Sequence, residues 1–134
     1  MAEHPNVVVI RRIYEAFGQG DLVNALDGLA PECVFHFNGS GPLAGDHVGP
    51  EAIAASLIKG AEMTGGSLKL DILNIYADDL HGVVVLQESG SRPDGATLDV
   101  AEAHVLTFDD QGRITNFWDL PSDPDAHDRF FDGL

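Results

Sequence analysis

Apolar residues are spaced in two different ways along this chain, and the change falls at residues 65–67. Before the Gly65-Gly66 pair, most apolar side chains recur every three or four positions, which is the spacing of an amphipathic helix. From Ser67 onward they alternate with polar residues, which is typical of strands. Helices that precede a run of strands favour an α+β fold with a mainly antiparallel sheet over a doubly wound fold.

The helical spacing predicts three helices in the first half of the chain. A helix over residues 5–17 ends at two nearby glycines, and a second over residues 21–30 is capped by Asp21 and closed by Pro31. A third helix, EAIAASLIKGAEM, follows Pro50, whose missing N–H is not needed in a first helical turn. Each helix has one apolar face, so each is expected to pack against the same core.

The alternating spacing predicts one short strand among the helices and two long hairpins after them. The predicted strands are residues 33–38, 67–77, 82–91, 97–108 and 113–120. The stretch 39–48 is rich in glycine and is predicted to be a loop or an irregular hairpin arm. Residues 121–134 form an acidic C-terminal tail or a short helix that docks through Phe130 and Phe131. Together, residues 1–134 are expected to make a single domain.

Composition excludes several classes of function. The 134 residues suit one domain, and a net charge of −15 argues against a nucleic-acid partner, whose phosphates require basic residues. The same charge disfavours an anionic membrane surface. Cys33 is the only cysteine, so no internal disulfide is possible, and its apolar neighbours predict a buried thiol. Without a signal peptide or membrane-spanning stretch, a cytoplasmic location is expected.

Sequence motifs do not indicate a cofactor or a metal ion. The chain has no phosphate-binding glycine loop, no dinucleotide fingerprint, no HExxH and no nucleophile elbow. None of its six histidines stands at the close spacing that is typical of metal ligands. We therefore expect no metal site and no cofactor.

Four segments resemble one known family. The sequences YEAFGQGDLVNAL, APECVFHF, VGPEAIAASL and LTFDDQGRITNFWDL, spread over about residues 6 to 120, are similar to the nuclear transport factor 2-like (NTF2-like) fold. Within it they resemble the SnoaL-like polyketide cyclases and the ketosteroid isomerases. The resemblance implies a cone-shaped α+β barrel, in which a curved sheet wraps around the N-terminal helices. It also implies a homodimer formed through the sheet, which would bury Trp118.

Two residues of the last hairpin are the main catalytic candidates. Alternation places His104 on one face with Glu102 and Leu106, and Asp119 on one face with Phe117 and Thr115. In the resembling cyclases a pocket histidine and a general acid/base aspartate occupy these strands, which implies such roles for His104 and Asp119. The alternatives are a buried histidine with a backbone partner and an aspartate that caps a turn before Pro121.

Three further positions differ from the isomerases in an informative way. His36 stands where an isomerase has its aspartate base, so it is a third catalytic candidate or a wedged core histidine. The isomerase oxyanion tyrosine matches Ile13, and Tyr14 follows it on the first helix. Tyr14 is therefore predicted to be a core aromatic with its hydroxyl at the rim. Epoxide hydrolases of this fold need an Asp-Arg-Asp set, and the arginine is missing here.

The predicted pocket combines apolar walls with a few polar groups near its mouth. The residues expected to bind substrate are Ile13, Tyr14, Phe17, Phe35, Leu57, Gln87, Glu102 and Phe117. Glu88 alternates with Gln87 and is expected on the opposite face. For both glutamates, a solvated sheet face is the more common location.

Three functions fit this interpretation. The first is an enzyme that moves a proton next to the carbonyl of a small apolar compound, with Asp119 as base or acid and His104 stabilising the enolate. The second is a binding or interaction module of the same fold without turnover. The third is a dehydratase that uses His36 and His104 as an acid/base pair. A closed apolar cavity with convergent His and Asp side chains favours the first.

Overall fold

A computed structural model describes residues 3–132, so the outer limits of the predicted domain, residues 1, 2, 133 and 134, lie outside the described residues. Within the described range the chain forms four helices and six strands. In order they are α1 Pro5–Gly18, α2 Leu22–Asp27, β1 Leu29–Phe37, β2 Gly45–Val48, α3 Pro50–Met63, β3 Lys69–Ala77, β4 His81–Ser91, β5 Thr97–Phe108, β6 Ile114–Pro121 and α4 Pro124–Asp132.

The six strands form one curved sheet in the order β2-β1-β6-β5-β4-β3. β1 pairs with β6 in parallel, and every other neighbouring pair is antiparallel. The α+β class and the mainly antiparallel sheet are thus confirmed. β2 and β3 are free edges, so the cone is an open curved sheet and not a closed barrel.

The junction between α2 and β1 differs from the prediction. The helix predicted over residues 21–30 ends at Asp27, and Leu29 and Ala30 belong to β1, where both are buried. Leu29 pairs with Ile114 of β6, which is the kind of contact that local helical spacing does not contain. Pro31 lies inside this strand at a place where its register with β6 shifts, and such an irregularity tolerates a residue without an N–H.

The core lies on the concave face of the sheet, beneath α1 and α3. Its fully buried side chains come from both helices and from β1, β4, β5 and β6: Ile10, Cys33, Ile53, Val84, Leu86, Leu106 and Ile114. The predicted burial of Cys33 is confirmed, and burial raises the pKa of its thiol to about 12.

Among residues 3–132, none of the helices combines the length and apolar character that a membrane crossing requires.

The C-terminal segment is a helix and not an extended tail. Asp123 accepts a hydrogen bond from the Ala126 N–H at the start of α4, and Phe130 and Phe131 are buried in a second small core with Met63. The predicted docking through the two phenylalanines is therefore confirmed. This docking matters for function because it turns the side chain of His127 towards the sheet.

A bulge in β6 separates Thr115 from the face on which alternation places it. Thr107 pairs with Asn116, whereas the next residue, Phe108, pairs with Ile114. Thr115 therefore contacts Thr107 on the convex face, with 2.6 Å between their Oγ1 atoms. Beyond the bulge the alternation is regular, and Asp119 points inward as predicted.

Candidate active site

An apolar cavity of about 140 Å³ lies between α1, α3, α4 and the concave face of the sheet. Six of the eight predicted substrate-binding residues line it: Ile13, Tyr14, Phe17, Phe35, Leu57 and Phe117. Its polar lining includes Tyr14, Glu88, His104, Asp119 and His127. The cavity thus has apolar walls and titratable groups along one side.

The two remaining predicted substrate-binding residues, Gln87 and Glu102, are not among the lining residues. Gln87 points to the convex face and donates a hydrogen bond to Asp99 at 2.8 Å. Glu102 points inward but lies behind the lining, with 4% of its surface exposed. Glu88 is also buried, at 6% exposure, so the expectation of solvated glutamates is wrong for both. The reason is strand phase, because Glu88 and Glu102 share the inward face with Leu86 and Leu106.

His104 and Asp119 stand directly opposite each other on β5 and β6. His104 Nε2 lies 3.3 Å from Asp119 Oδ1 and 3.2 Å from Glu102 Oε2. On its other side, His104 Nδ1 hydrogen-bonds to the Tyr14 hydroxyl at 2.5 Å. The predicted pairing of the hairpin's histidine and aspartate is therefore present, and α1 adds a tyrosine to it.

A second imidazole, which the sequence interpretation missed, completes the cluster. His127 Nε2 lies 3.0 Å from Glu88 Oε1, 3.2 Å from Glu102 Oε1 and 3.4 Å from Asp119 Oδ2. The sequence does contain a signal for it. His127 stands three and four residues before Phe130 and Phe131, so a helical C-terminus places all three side chains on one face.

The close packing of these groups shifts their pKa values. Burial raises the pKa of Glu88 to about 7. The neighbouring carboxylates of Glu102 and Asp119 also raise this pKa, whereas the contact with His127 lowers it. For Glu102, burial opposes ionisation, but contacts with His104 and His127 outweigh it and lower the pKa to about 2.

Both imidazoles have raised pKa values. For His127, burial favours the neutral ring, yet Glu102 and Glu88 outweigh it and raise the pKa to about 10. For His104, burial is likewise outweighed, by Tyr14, Asp119 and Glu102, so that its pKa lies well above 6.5. Burial raises the pKa of the Tyr14 phenol. Without a bound cation, both imidazoles are therefore charged near neutral pH.

His36 lies outside the cavity, although it was a catalytic candidate. Its ring stacks on Trp118 with 4.9 Å between centroids, and its nitrogens lie 2.8 Å from Asp46 Oδ1 and 3.0 Å from Asn116 Oδ1. The parallel pairing of β1 with β6 places Phe35 against Phe117 on the inside and His36 against Trp118 on the outside. A His36–His104 dehydratase pair therefore has no geometric basis.

The first helix places Tyr14, and not Ile13, beside His104. Ile13 contributes an apolar wall of the cavity at the position where the isomerase tyrosine matches. Tyr14, predicted to have a rim hydroxyl, instead directs that hydroxyl to His104 Nδ1. The residue after Ile13 therefore supplies the polar group, because one step along an α-helix rotates the side chain by about 100° and turns Tyr14 towards β5.

We expect the free energy of unfolding, measured in EDTA, to be largest near pH 4.5. Below 4.5, protonation removes the stabilisation from Glu102, whose pKa falls to about 2 on folding. Between pH 4.5 and about 7, Glu88 ionises in the unfolded chain but stays protonated in the folded protein, so the free energy of unfolding falls. Above 6.5, the stabilisation from charged His127 is lost progressively up to about pH 10. Urea denaturation at intervals between pH 3 and pH 10 measures this profile.

The variant Glu88→Gln is the matched control for this profile. It keeps the size of the side chain but cannot ionise, so the decline between pH 4.5 and about 7 should flatten while the acid limb stays. A stability that rises from pH 5 to pH 8 in the unmodified protein contradicts the prediction.

A curved sheet that wraps around helices and encloses an apolar cavity with them is typical of the NTF2-like class of α+β proteins. An NTF2-like protein from Burkholderia pseudomallei superposes with a TM-score of 0.79, is 23% identical and covers 94% of this chain and 96% of its own. Bal32a, from a soil-derived mobile gene cassette, has a TM-score of 0.88 and is 31% identical over 94% of this chain and 95% of Bal32a.

Within this class the chain belongs to the SnoaL-like domain family, whose model matches residues 10–117. A curated relative, uncharacterized protein Rv0034 of Mycobacterium tuberculosis, is 26% identical over 131 residues, which is 98% of this chain and 99% of the relative. The resemblance drawn from the four sequence segments is thus confirmed for the family and the fold.

Proposed function

We propose that the protein is an enzyme of the isomerase or cyclase type, which moves a proton at the carbon next to the carbonyl of a small apolar compound. The observation that supports this most is Asp119 Oδ1. It is buried on a residue that lines the cavity, and although His104 Nε2 lies 3.3 Å away, it accepts no well-directed hydrogen bond from the described residues. A carboxylate oxygen with an unused lone pair beside an apolar cavity is suited to accept a proton from carbon.

The donor for the developing enolate oxygen is Tyr14 in this proposal. Both ring nitrogens of His104 already face protein partners, so the imidazole does not reach the substrate directly. When His104 is charged, its Nδ1–H donates to the Tyr14 oxygen, which leaves the phenolic hydrogen free to donate into the cavity. His104 then acts through Tyr14 by making its hydroxyl a stronger donor.

The size of the cavity limits the substrate. A protein cavity of about 150 Å³ holds one benzene molecule, so about 140 Å³ suits a single ring or a short chain. Apolar walls favour a hydrocarbon body, and the titratable side favours one carbonyl group directed towards Tyr14. The proposal requires no organic cofactor.

Deuterium exchange tests the proposed chemistry without knowledge of the natural substrate. A panel of cyclic and short-chain apolar ketones is incubated with the protein in D₂O, and loss of the protons next to the carbonyl is followed by NMR. We expect exchange above the buffer rate for compounds that fit the cavity. Each compound's binding is measured in parallel by chemical-shift changes in the protein.

The second candidate function, a binding module without turnover, is favoured by the same apolar walls. Ketones that bind in the cavity without any accelerated exchange would support it and contradict the enzyme. Leu57→Trp, which fills the cavity from α3, is the control, since it should remove binding and exchange together. The expected homodimer remains a prediction. Analytical ultracentrifugation of the purified protein tests it by measuring the molar mass in solution.

A further inference from the structure

We propose that the protein binds one divalent first-row transition-metal ion where β4, β5 and α4 meet. The ligands of this metal site are His127 Nε2, Glu88 Oε1 and Glu102 Oε1. The inference goes beyond the proposed function and does not depend on it, because it concerns cation binding and not turnover.

Distances around His127 match a coordination shell. Its Nε2 lies 3.0 Å from Glu88 Oε1 and 3.2 Å from Glu102 Oε1, and these three residues form a group with ligand spacing. With metal–ligand bonds of about 2.1 Å, neighbouring ligand atoms are about 3.0 Å apart in an octahedron and about 3.4 Å apart in a tetrahedron. The observed distances fall within this interval.

The directions of these groups also fit a shared cation better than hydrogen bonds. His127 Nε2, Glu88 Oε1 and Glu102 Oε1 are buried and have no hydrogen-bond partner among the described residues. Yet His127 Nε2 lies only 3.0 Å from Glu88 Oε1 and 3.2 Å from Glu102 Oε1. A proton on Nε2 has one direction and here satisfies no carboxylate oxygen. A cation between them is bound by the imidazole lone pair and by all the carboxylate oxygens at once.

Charge balance points the same way. Glu88, Glu102 and Asp119 are each at least nine-tenths buried and meet in one place, where mutual repulsion is strong. A divalent cation compensates two of these charges. Without a metal ion, the charged imidazoles of His104 and His127 offset two of the three carboxylates, which leaves one buried negative charge for a cation to compensate.

Neighbouring residues hold the ligands as supporting residues do in known metal sites. His104 Nε2 contacts the opposite oxygens, Glu102 Oε2 and Asp119 Oδ1, and Tyr14 holds His104 in turn. Asp119 is not one of the three metal ligands, and its Oδ1 lies 3.3 Å from His104 Nε2. Metal binding and the proposed proton transfer therefore use different carboxylates and are compatible.

An acidic pocket lies beside the site. It has a volume of about 120 Å³, shares Asn38, Asp119, His127 and Asp128 with the lining of the apolar cavity, and is also lined by Asp125 and Pro121. Such a pocket attracts cations and reaches His127, one of the ligands. The histidine spacing that argued against a metal site describes only neighbours along the chain, whereas these ligands come from three separate elements.

The ligand set selects the class of metal. One imidazole with two carboxylates suits Mn²⁺, Fe²⁺, Co²⁺ or Zn²⁺, and the absence of a thiolate from the set disfavours soft cations. The neighbouring group of Glu102, His104 and Asp119 also has ligand spacing, but there His104 Nε2 already hydrogen-bonds to Glu102 Oε2. One ion at His127 is therefore the expected stoichiometry.

Calorimetric titration of the untagged, chelator-treated protein with Mn²⁺ and with Zn²⁺ tests the proposal. We expect one ion per chain and a higher melting temperature with either metal. His127→Gln and Glu88→Gln should each weaken binding by at least about 100-fold while circular dichroism stays unchanged. His81→Ala, which removes a histidine that is 63% exposed beside Asp78, is the matched control and should bind normally.

Two results would overturn the metal site. One is the absence of stoichiometric binding to the unmodified protein with both metals. The other is binding to a folded His127→Gln variant that equals binding to His81→Ala. The EPR signal of bound Mn²⁺ gives a second measurement, since it should be lost in the folded Glu88→Gln variant and retained in the control.

Discussion

Replacing Asp119 with asparagine is expected to lower the rate of deuterium exchange at carbon by about 10²–10⁴-fold, the usual contribution of a positioned acid or base. The substitution keeps the size of the side chain and its place opposite His104, but the amide does not accept a proton from carbon. Binding of the ketone in the cavity should change little, because the apolar walls supply most of the contact. The rate is measured by NMR in D₂O, with binding measured in the same samples.

Asp99→Asn is the matched control for this experiment. Asp99 lies on β5, the strand beside that of Asp119, but it is exposed on the convex face, where it accepts a hydrogen bond from Gln87. Its loss should leave the exchange rate unchanged. The measurement is made with EDTA and with Mn²⁺, so that an effect on cation binding is recognised as such. A folded Asp119→Asn variant with the unmodified rate under both conditions contradicts the assignment of the base.

Glu102→Ala is expected to lower the free energy of unfolding by about 3–5 kcal/mol, the range for removing one partner of a buried ion pair. The Glu102 side chain is completely buried and contacts both imidazoles, with His104 Nε2 at 3.2 Å and His127 Nε2 at 3.2 Å. Its removal leaves both rings with one carboxylate fewer and opens a void behind the cavity. Urea denaturation at pH 6 in EDTA measures the loss.

Two substitutions calibrate this result. Glu102→Gln keeps the volume and one acceptor, so its loss should be smaller, at about 1–3 kcal/mol. Glu62→Ala removes an exposed glutamate from α3 and should change stability by less than about 0.5 kcal/mol. Equal stability of Glu102→Ala and Glu62→Ala would show that the buried cluster does not stabilise the fold.

Alternation predicted the last hairpin correctly because regular pairing preserves it. β5 pairs with β4 without a break, so His104, Glu102 and Leu106 share the inward face as the pattern indicates. The same pattern already placed Glu102 inward, and only the general preference of glutamate for solvent argued otherwise. In a regular strand the register decides the side, and the buried charge is then compensated by partners from elsewhere.

Other features depended on contacts between distant segments. His36 faces outward because β1 pairs in parallel with β6, which lies about 80 residues further along the chain. Local alternation describes two faces of β1 but does not say which one faces the core. Similarly, the end of α2 at Asp27 follows from pairing of Leu29 with Ile114, which outweighs the helical spacing of residues 21–30.

The sequence alone determined the α+β class, the approximate helices and strands, and a hairpin that carries His104 on one strand and Asp119 on the other, since these follow from periodicity and turn residues close together in the chain. The bulge in β6 then set the register that places the two residues opposite each other. Only the tertiary structure decided that Tyr14 and His127 join that pair and that Glu88 and Glu102 are buried with them. Those contacts link β4, β5, β6, α1 and α4. They form because each helix docks where its apolar face becomes buried, as Phe130 and Phe131 of α4 do. That burial depends on residues far apart in the chain, so a local sequence pattern does not predict it.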